Sequence, residues 1–120
     1  CVRLATYCGY PDAERDNRIM EMNFGDWEMK SFDEISDPRL KEWYADYINV
    51  PATNGESFAI QYQRVASFLD ELKEKNYEKV AIFAHGGVLI CAQLYAGAIK
   101  QEEAFSALTP YGGIIQLRLD

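Results

Sequence analysis

The sequence predicts an α/β layer architecture, in which helices pack against a sheet of mostly parallel strands. The main observation is the order of patterns along the chain, which is helix, strand, helices, strand, helix, helix and strand. In addition, residues 79–84 (KVAIFA) are apolar enough to be covered on both faces, as parallel strands are. A length of 120 residues corresponds to a single domain, 1–120, that can bury a core.

The N-terminal third of the chain is predicted to contain one clear helix and one short strand. Apolar residues share one face over residues 1–8, and Gly9 then ends this helix. No N-cap precedes it, so we expect the chain to begin inside an element. Residues 19–24 alternate between apolar and polar side chains and are predicted to form a strand. Residues 31–34 (SFDE) fit a capping box that opens short helices in an aromatic-rich segment.

The rest of the chain contains the most regular patterns. Thr53 and Glu56 fit a second capping box, and apolar residues then recur at steps of four and three, which predicts a helix over 58–75. The strand 79–84 is followed by a helix that opens at Gly86. A short helix over 101–108 and a final strand over 114–119 complete the predicted order, with Trp27 and Trp43 as packing anchors.

Composition and charge restrict the classes of function. The chain is 48% hydrophobic and 26% charged, with a net charge of -7, and its few basic residues form no stripe. We therefore expect small-molecule or protein partners rather than nucleic acid. The three cysteines lack metal-ligand spacing, and Cys8 and Cys91 are expected to be small buried hydrophobic residues. Neither a membrane span nor a signal peptide is visible, which favours a cytoplasmic protein.

His85 is the single histidine, and it lies between a predicted strand and a predicted helix. Ligands gather beyond the carboxyl ends of strands in α/β sheets, and Gly86 and Gly87 would let a phosphate approach the N–H groups of the next helix. The pattern therefore indicates an anion site. The alternative is a core or capping histidine bonded to a backbone carbonyl, and this stretch alone leaves the two about equally favoured.

Glu21 is one of three carboxylates in the stretch EMNFGDWE. In a strand it would point away from Met20 and Met22, onto the face that it shares with Ile19. A carboxyl beside an apolar wall suits a general acid. A solvated, charged loop explains the cluster equally simply and is the commoner situation.

Three stretches together resemble the histidine phosphatase superfamily, the phosphoglycerate-mutase-like enzymes. They are EMNFGDWEM, TNGESF followed by QRV, and VAIFAHGGVL, in matching order and spacing along nearly the whole chain. The resemblance implies hydrolysis of a phosphate monoester through a phosphohistidine. FGDWEM and TNGE are most similar to members that act on α-ribazole 5′-phosphate in cobalamin biosynthesis.

The resemblance also implies roles for three residues. It makes Glu21 the catalytic proton donor, His85 a catalytic and phosphate-binding residue, and Gly86 a further phosphate ligand. It implies no metal and no cofactor. The implied fold is the C-terminal portion of a phosphoglycerate-mutase-like three-layer α/β/α structure whose first, central strand is missing.

The superfamily's nucleophile lies in an Arg-His-Gly segment, which this sequence lacks. We therefore expect the 120-residue chain to be inactive alone, and to associate or exchange segments through an exposed sheet edge. Three alternatives stay open. The first is a phosphoglycerate mutase or a broad-specificity phosphatase of the same fold, and the second is a non-catalytic binding module. The third is a purely structural domain, which the order of the motifs disfavours.

Overall fold

The computed structural model describes residues 1–119. Over these residues the chain forms four α-helices and several single turns of 3₁₀ helix. The α-helices are α1 (Val2–Tyr7), α2 (Arg39–Ala45), α3 (Phe58–Glu74) and α4 (Gly86–Tyr95). The contacts divide the chain into two compact units, one made of residues 1–21 with the residues from Arg64 onward, and the other of Met22–Gln63.

The prediction of an α/β fold, including its three-layer α/β/α form, was wrong for the described part of the chain. Residues 1–119 contain no β-strand and therefore no sheet. The predicted strand at 19–24 begins in a 3₁₀ turn, Asn17–Ile19, and residues 79–84 and 114–119 form no ladder. A strand needs a neighbouring backbone to pair with. Within the described residues, 79–84 take part in no backbone–backbone hydrogen bond.

The helix predicted at the start of the chain is confirmed as α1, and its end has a clear cause. Gly9 adopts a φ of 98°, a left-handed conformation that glycine tolerates best. The N–H of Gly9 then bonds to the Thr6 carbonyl at 3.1 Å, and the N–H of Tyr10 bonds to the Ala5 carbonyl at 2.8 Å. This double closure is a Schellman motif, which satisfies carbonyls left open at the helix end.

The predicted long helix is confirmed as α3, but neither predicted capping box forms. The Ser57 hydroxyl accepts a hydrogen bond from the N–H of Ile60 at the start of α3. Glu56, the residue expected to cap this helix, instead accepts a hydrogen bond from the backbone N–H of Asn23 at 2.8 Å. The Ser31 side chain likewise makes no capping bond. Both capping-box patterns are present in the sequence, but contacts with distant residues determine which groups the side chains bond to.

The unit Met22–Gln63 is organised around the two tryptophans. Trp27 and Trp43 are only 3% and 4% exposed, and their rings meet edge to face at 5.9 Å. Phe32 stacks on Trp43 at 5.5 Å. The prediction that both tryptophans are packing anchors is therefore confirmed.

In the other unit, buried apolar side chains come from α1, the part of α3 that begins at Arg64, α4 and the segment that follows α4. They are Ala5, Val65, Leu69, Val88, Ile90, Cys91 and Ala104. Cys91 is buried as predicted, whereas Cys8 is exposed, so the prediction for Cys8 was wrong. Cys8 lies at the C-cap of α1, a helix in which Ala5 alone is buried. In the described residues, no helix combines the length and apolar character needed to cross a membrane.

Candidate active site

Glu21 and His85, the two predicted catalytic residues, both lie at the N-terminus of α4. The Glu21 carboxylate accepts a hydrogen bond from the backbone N–H of Gly87, with 3.1 Å between Oε2 and the nitrogen. Gly87 is the second residue of α4, and His85 is the residue just before the helix. A carboxylate is favourable here because the first N–H groups of a helix lack partners within the helix and carry partial positive charge.

His85 directly follows segment 79–84 and does not cap α4 with its side chain. Its backbone is extended, with φ −119° and ψ 167°, and its carbonyl accepts the first bond of the helix from Leu89 at 3.0 Å. The residue is exposed, so its imidazole is accessible to a ligand. The predicted alternative of a buried core histidine does not describe this position.

Gly86 is held close to a neighbouring side chain. A methyl group on its Cα would lie 2.7 Å from Cδ1 of Leu108. Leu108 is itself 61% exposed, so this neighbour has space to move. The first two residues of α4, Gly86 and Gly87, have no side chains of their own that could cover the backbone there.

Two residues near the site carry no signal in the sequence strong enough to predict them. The thiol of Cys1 lies 3.4 Å from Nε2 of His85 and donates a hydrogen bond to the Ala84 carbonyl at 3.2 Å. Arg64, the arginine of the QRV stretch, donates to backbone carbonyls of the segment that carries Glu21. Both contacts join distant parts of the sequence, so no local pattern reports them.

A cavity of about 660 Å³ lies beside residues 79–83. His85 and Cys1 line it together with apolar side chains that include Met20, Phe68 and Phe83. Charged side chains also reach it, among them Asp16 and Glu71.

A charged cluster secures the segment before Glu21. Arg18 donates to Asp16 at 2.8 Å and to Glu71 at 2.5 Å, and its guanidinium lies 5.4 Å from the centre of the Phe68 ring. Hydrogen bonding to Asp16, and then to Glu71, raises the pKa of Arg18, and the same bonds lower the pKa values of the two carboxyls. Among the described residues, no group of three or more histidine, cysteine, aspartate or glutamate side chains could hold a metal ion.

The chain matches a known protein family over nearly its whole length. The family described as the histidine phosphatase superfamily, branch 1, matches residues 3–120, nearly the whole chain. The chain belongs to the histidine phosphatase superfamily. The resemblance stated from the three sequence stretches is therefore confirmed.

Relatives within the histidine phosphatase superfamily fall under two names. An adenosylcobalamin/alpha-ribazole phosphatase of Escherichia coli (strain K12) is 36% identical over 75 residues, which are 59% of this chain and 37% of that protein. A protein of Hydrogenobacter thermophilus named "Putative phosphoserine phosphatase 2" is 28% identical over 108 residues, 88% of this chain and 53% of its own length. The chain thus spans about half the length, or less, of the curated relatives that it matches.

A solved histidine phosphatase structure shows a similar arrangement. The crystal structure of the alpha-ribazole phosphatase from Shigella flexneri matches with a TM-score of 0.73 and 26% sequence identity. The match covers 91% of this chain and 55% of that one.

Two of the three stretches that carry the family resemblance pack against each other within Met22–Gln63. The N–H of Glu56 bonds to the Asn23 carbonyl at 2.7 Å, and the N–H of Asp26 bonds to the Thr53 carbonyl at 2.9 Å. A methyl group on Gly55 would lie 2.4 Å from the Asn23 carbonyl oxygen. FGDWE and TNGE therefore form one structural unit, and within it their glycines are required by close backbone contact.

Proposed function

We propose that the complete protein hydrolyses phosphate monoesters and that Glu21 and His85 serve the reacting phosphoryl group. The observation that supports this most strongly is the convergence of both side chains on the N-terminus of α4 in a chain of the histidine phosphatase superfamily. A helix N-terminus that begins with two glycines is suited to a phosphoryl group, because neither residue has a side chain of its own to keep the oxygens away from the N–H groups.

The proposed reaction has two steps. A nucleophilic histidine nitrogen bonds to phosphorus while the ester oxygen leaves, and the Glu21 carboxyl donates a proton to that oxygen. Water then attacks the phosphorus of the phosphohistidine and the P–N bond breaks, which releases the histidine nitrogen and inorganic phosphate. The Glu21 carboxylate accepts the proton that the water loses. His85 donates a hydrogen bond to the phosphoryl oxygens, and its exposed imidazole together with the N–H of Gly86 stabilises the charge that develops on them.

The nucleophile is proposed to come from sequence outside these 120 residues. The chain has one histidine, and the proposed reaction uses His85 for a different purpose. The matches cover 53% and 37% of the relatives' own lengths, which leaves room for such a segment. The 120-residue chain alone is therefore expected to have no turnover.

The proposed substrate is α-ribazole 5′-phosphate, which is consistent with the names of the relatives from Escherichia coli, Salmonella typhimurium and Shigella flexneri. Phosphoserine is the second candidate. It is favoured by the relative from Hydrogenobacter thermophilus, whose match extends over 88% of this chain. Both are phosphate esters of primary alcohols, so both leaving groups need a proton donor such as Glu21.

The test is an assay of the full-length protein with α-ribazole 5′-phosphate, phosphoserine and 3-phosphoglycerate in parallel. We expect the full-length protein to have its highest kcat/KM with α-ribazole 5′-phosphate. The 120-residue chain alone should show no turnover of any of the three esters. A higher value with phosphoserine would replace the substrate, and mutase activity would replace the reaction. Absence of turnover with every ester, accompanied by binding of inorganic phosphate, would indicate the non-catalytic binding module.

The proposal includes association of the 120-residue chain with itself. Segment 79–84 makes no backbone–backbone hydrogen bond within the described residues, and its Val80 and Ile82 are 47% and 36% exposed beside the cavity. Exposed apolar side chains on a backbone that makes no backbone–backbone hydrogen bond favour pairing with another chain. Light scattering of the isolated chain should therefore show dimers or larger species, and a monomer at high concentration would contradict this.

A further inference from the structure

The guanidinium of Arg64 lies against the backbone of the segment that carries Glu21. Its Nη1 donates to the carbonyl oxygens of Arg18, at 2.8 Å, and of Met20, at 2.7 Å. Its Nη2 donates to the carbonyl oxygen of Glu21 itself at 3.1 Å. One planar group thus holds three carbonyls within a stretch of four residues, and its rigid fork of donors restricts their directions relative to one another.

The Glu21 segment has no sheet to hold it. Residues 20–24 are not part of any strand, so the ladder that would ordinarily fix an extended segment is absent there. Arg64 is a half-buried residue of α3, which at 17 residues is the longest described helix. Hydrogen bonds from a charged donor are about twice as strong as neutral ones, so these bonds can fix the segment on a rigid element.

We infer that Arg64 is a positioning residue, which holds the Glu21 carboxyl where it meets the N–H of Gly87 at the start of α4. The inference rests on the proposed function, because it concerns the group proposed to donate the proton. Arg64 fixes the backbone of Glu21 through its carbonyl, and the side chain that extends from this backbone reaches Gly87 at 3.1 Å. A displacement of about 1 Å at a catalytic group can lower a rate by about 100-fold.

Arg18 provides a matched comparison within the same segment. Its side chain also ties the segment to α3, through Glu71 and the face of Phe68. This tie acts three residues before Glu21, on a side chain about one-third exposed, and it does not involve the carbonyls of Met20 or Glu21. Arg18→Met therefore removes a tether of the segment and leaves the bonds from Arg64 in place.

The first measurement compares two esters on the full-length protein and its Arg64→Met, Arg64→Lys and Arg18→Met variants. α-Ribazole 5′-phosphate has an alkoxide leaving group that needs a proton, whereas 4-nitrophenyl phosphate releases a stable phenolate that needs little help. We expect Arg64→Met to lower kcat for the first ester about 10- to 100-fold, with KM for that ester changed by less than about 3-fold. The kcat for the second ester should also change by less than about 3-fold.

Lysine at position 64, which offers donors without the planar fork, should restore part of the loss. Arg18→Met should change the ratio of the two esters by less than about 2-fold. Equal losses on both esters, or no loss, would overturn the inference.

The second measurement does not depend on turnover. The amide resonance of Gly87 reports its hydrogen bond to Glu21, so Glu21→Gln defines the position of this resonance when the bond is altered. We expect Arg64→Met to move the resonance toward that position and Arg18→Met to leave it in place. An unmoved resonance in Arg64→Met would overturn the inference even if the wild type hydrolyses neither ester, which would refute the proposed function separately. If circular dichroism shows that Arg64→Met is unfolded, Arg64→Lys carries both measurements.

Discussion

Two regions of the described chain differ in their backbone hydrogen bonds and in the burial of their apolar side chains, namely residues 22–63 and residues 79–84. In the first region the loops around Asn23 and Glu56 exchange backbone hydrogen bonds, and Trp27 and Trp43 are almost fully buried. In the second region the backbone makes no such bond, and Val80 is 47% exposed. The difference shows that two loops about thirty residues apart in the sequence can satisfy each other's backbone hydrogen bonds. An apolar segment predicted as a strand instead depends on a partner strand for such bonds.

The largest expected effect separates two glutamates of the EMNFGDWE stretch. Glu21→Gln should lower kcat of the full-length protein about 10²- to 10⁴-fold, because the proton donor is lost. Glu28, whose carboxylate accepts a hydrogen bond from the N–H of Phe24 at 2.7 Å, belongs to the paired region. Glu28→Gln should leave kcat within about 3-fold and lower the free energy of unfolding by about 1 kcal/mol. Equal kinetic losses in both variants would contradict the assignment of Glu21.

The second expected effect concerns the aromatic cluster of residues 22–63. Trp43→Ala removes a buried ring that meets Trp27 and Phe32, so it should lower the free energy of unfolding by about 3–5 kcal/mol. Tyr111→Ala, at a fully exposed position, should change it by less than about 0.5 kcal/mol. Urea unfolding followed by circular dichroism measures both. A loss below about 1 kcal/mol for Trp43→Ala would mean that the cluster does not stabilise this region.

A smaller effect compares two glycines with crowded surroundings. A methyl group at Gly55 would lie 2.4 Å from a backbone carbonyl oxygen, whereas one at Gly86 would lie 2.7 Å from the movable end of Leu108. Gly55→Ala should therefore lower the free energy of unfolding by about 1–3 kcal/mol, since a backbone cannot move aside easily. Gly86→Ala should stay within about 1 kcal/mol of the wild type, because alanine also favours the helix. Equal costs in the same urea assay would show that the two regions are equally rigid.

The smallest effect is a pH dependence within residues 22–63. Hydrogen bonds from the Thr53 hydroxyl, the Arg39 N–H and the Trp27 indole lower the pKa of Asp37. A lowered pKa in the folded state stabilises the fold at pH values above the ordinary carboxyl value, and this contribution is lost as pH falls through the folded value. Asp37→Asn should therefore lower the urea midpoint at neutral pH, with the difference shrinking in acid. The exposed Asp33→Asn is the control, and a constant difference across pH would contradict the assignment.

The helices could be predicted from the sequence because their signals are local. The apolar spacing over 58–75 and the glycine after residues 1–8 act within a few residues of the chain, and both helices form where expected. Capping boxes use the same local reasoning, yet Glu56 bonds to Asn23, a residue far away in the sequence. Local patterns therefore located the helices but not the partners of their polar side chains.

The predicted strands failed for the opposite reason. An apolar run such as KVAIFA indicates an extended, buried segment, but pairing depends on another strand that the run itself does not specify. In the described residues these positions form no strand and make no backbone–backbone hydrogen bond.

The candidate site was only partly predictable. Glu21 and His85 were singled out from their local sequence patterns, and the resemblance then implied their roles, which stay predictions. Arg64 and Cys1 were not predicted as site residues, because their contacts depend on how α3 and α1 pack.

The most direct test of the account is a titration of the full-length protein with inorganic phosphate, followed through the amide resonances of Gly86 and Gly87 and the ring of His85. A phosphoryl group bound at the N-terminus of α4 should make these resonances shift and saturate together. Resonances in residues 22–63, such as the Trp43 indole, should stay in place. Binding of phosphate that leaves Gly86, Gly87 and His85 unchanged would contradict the central claim.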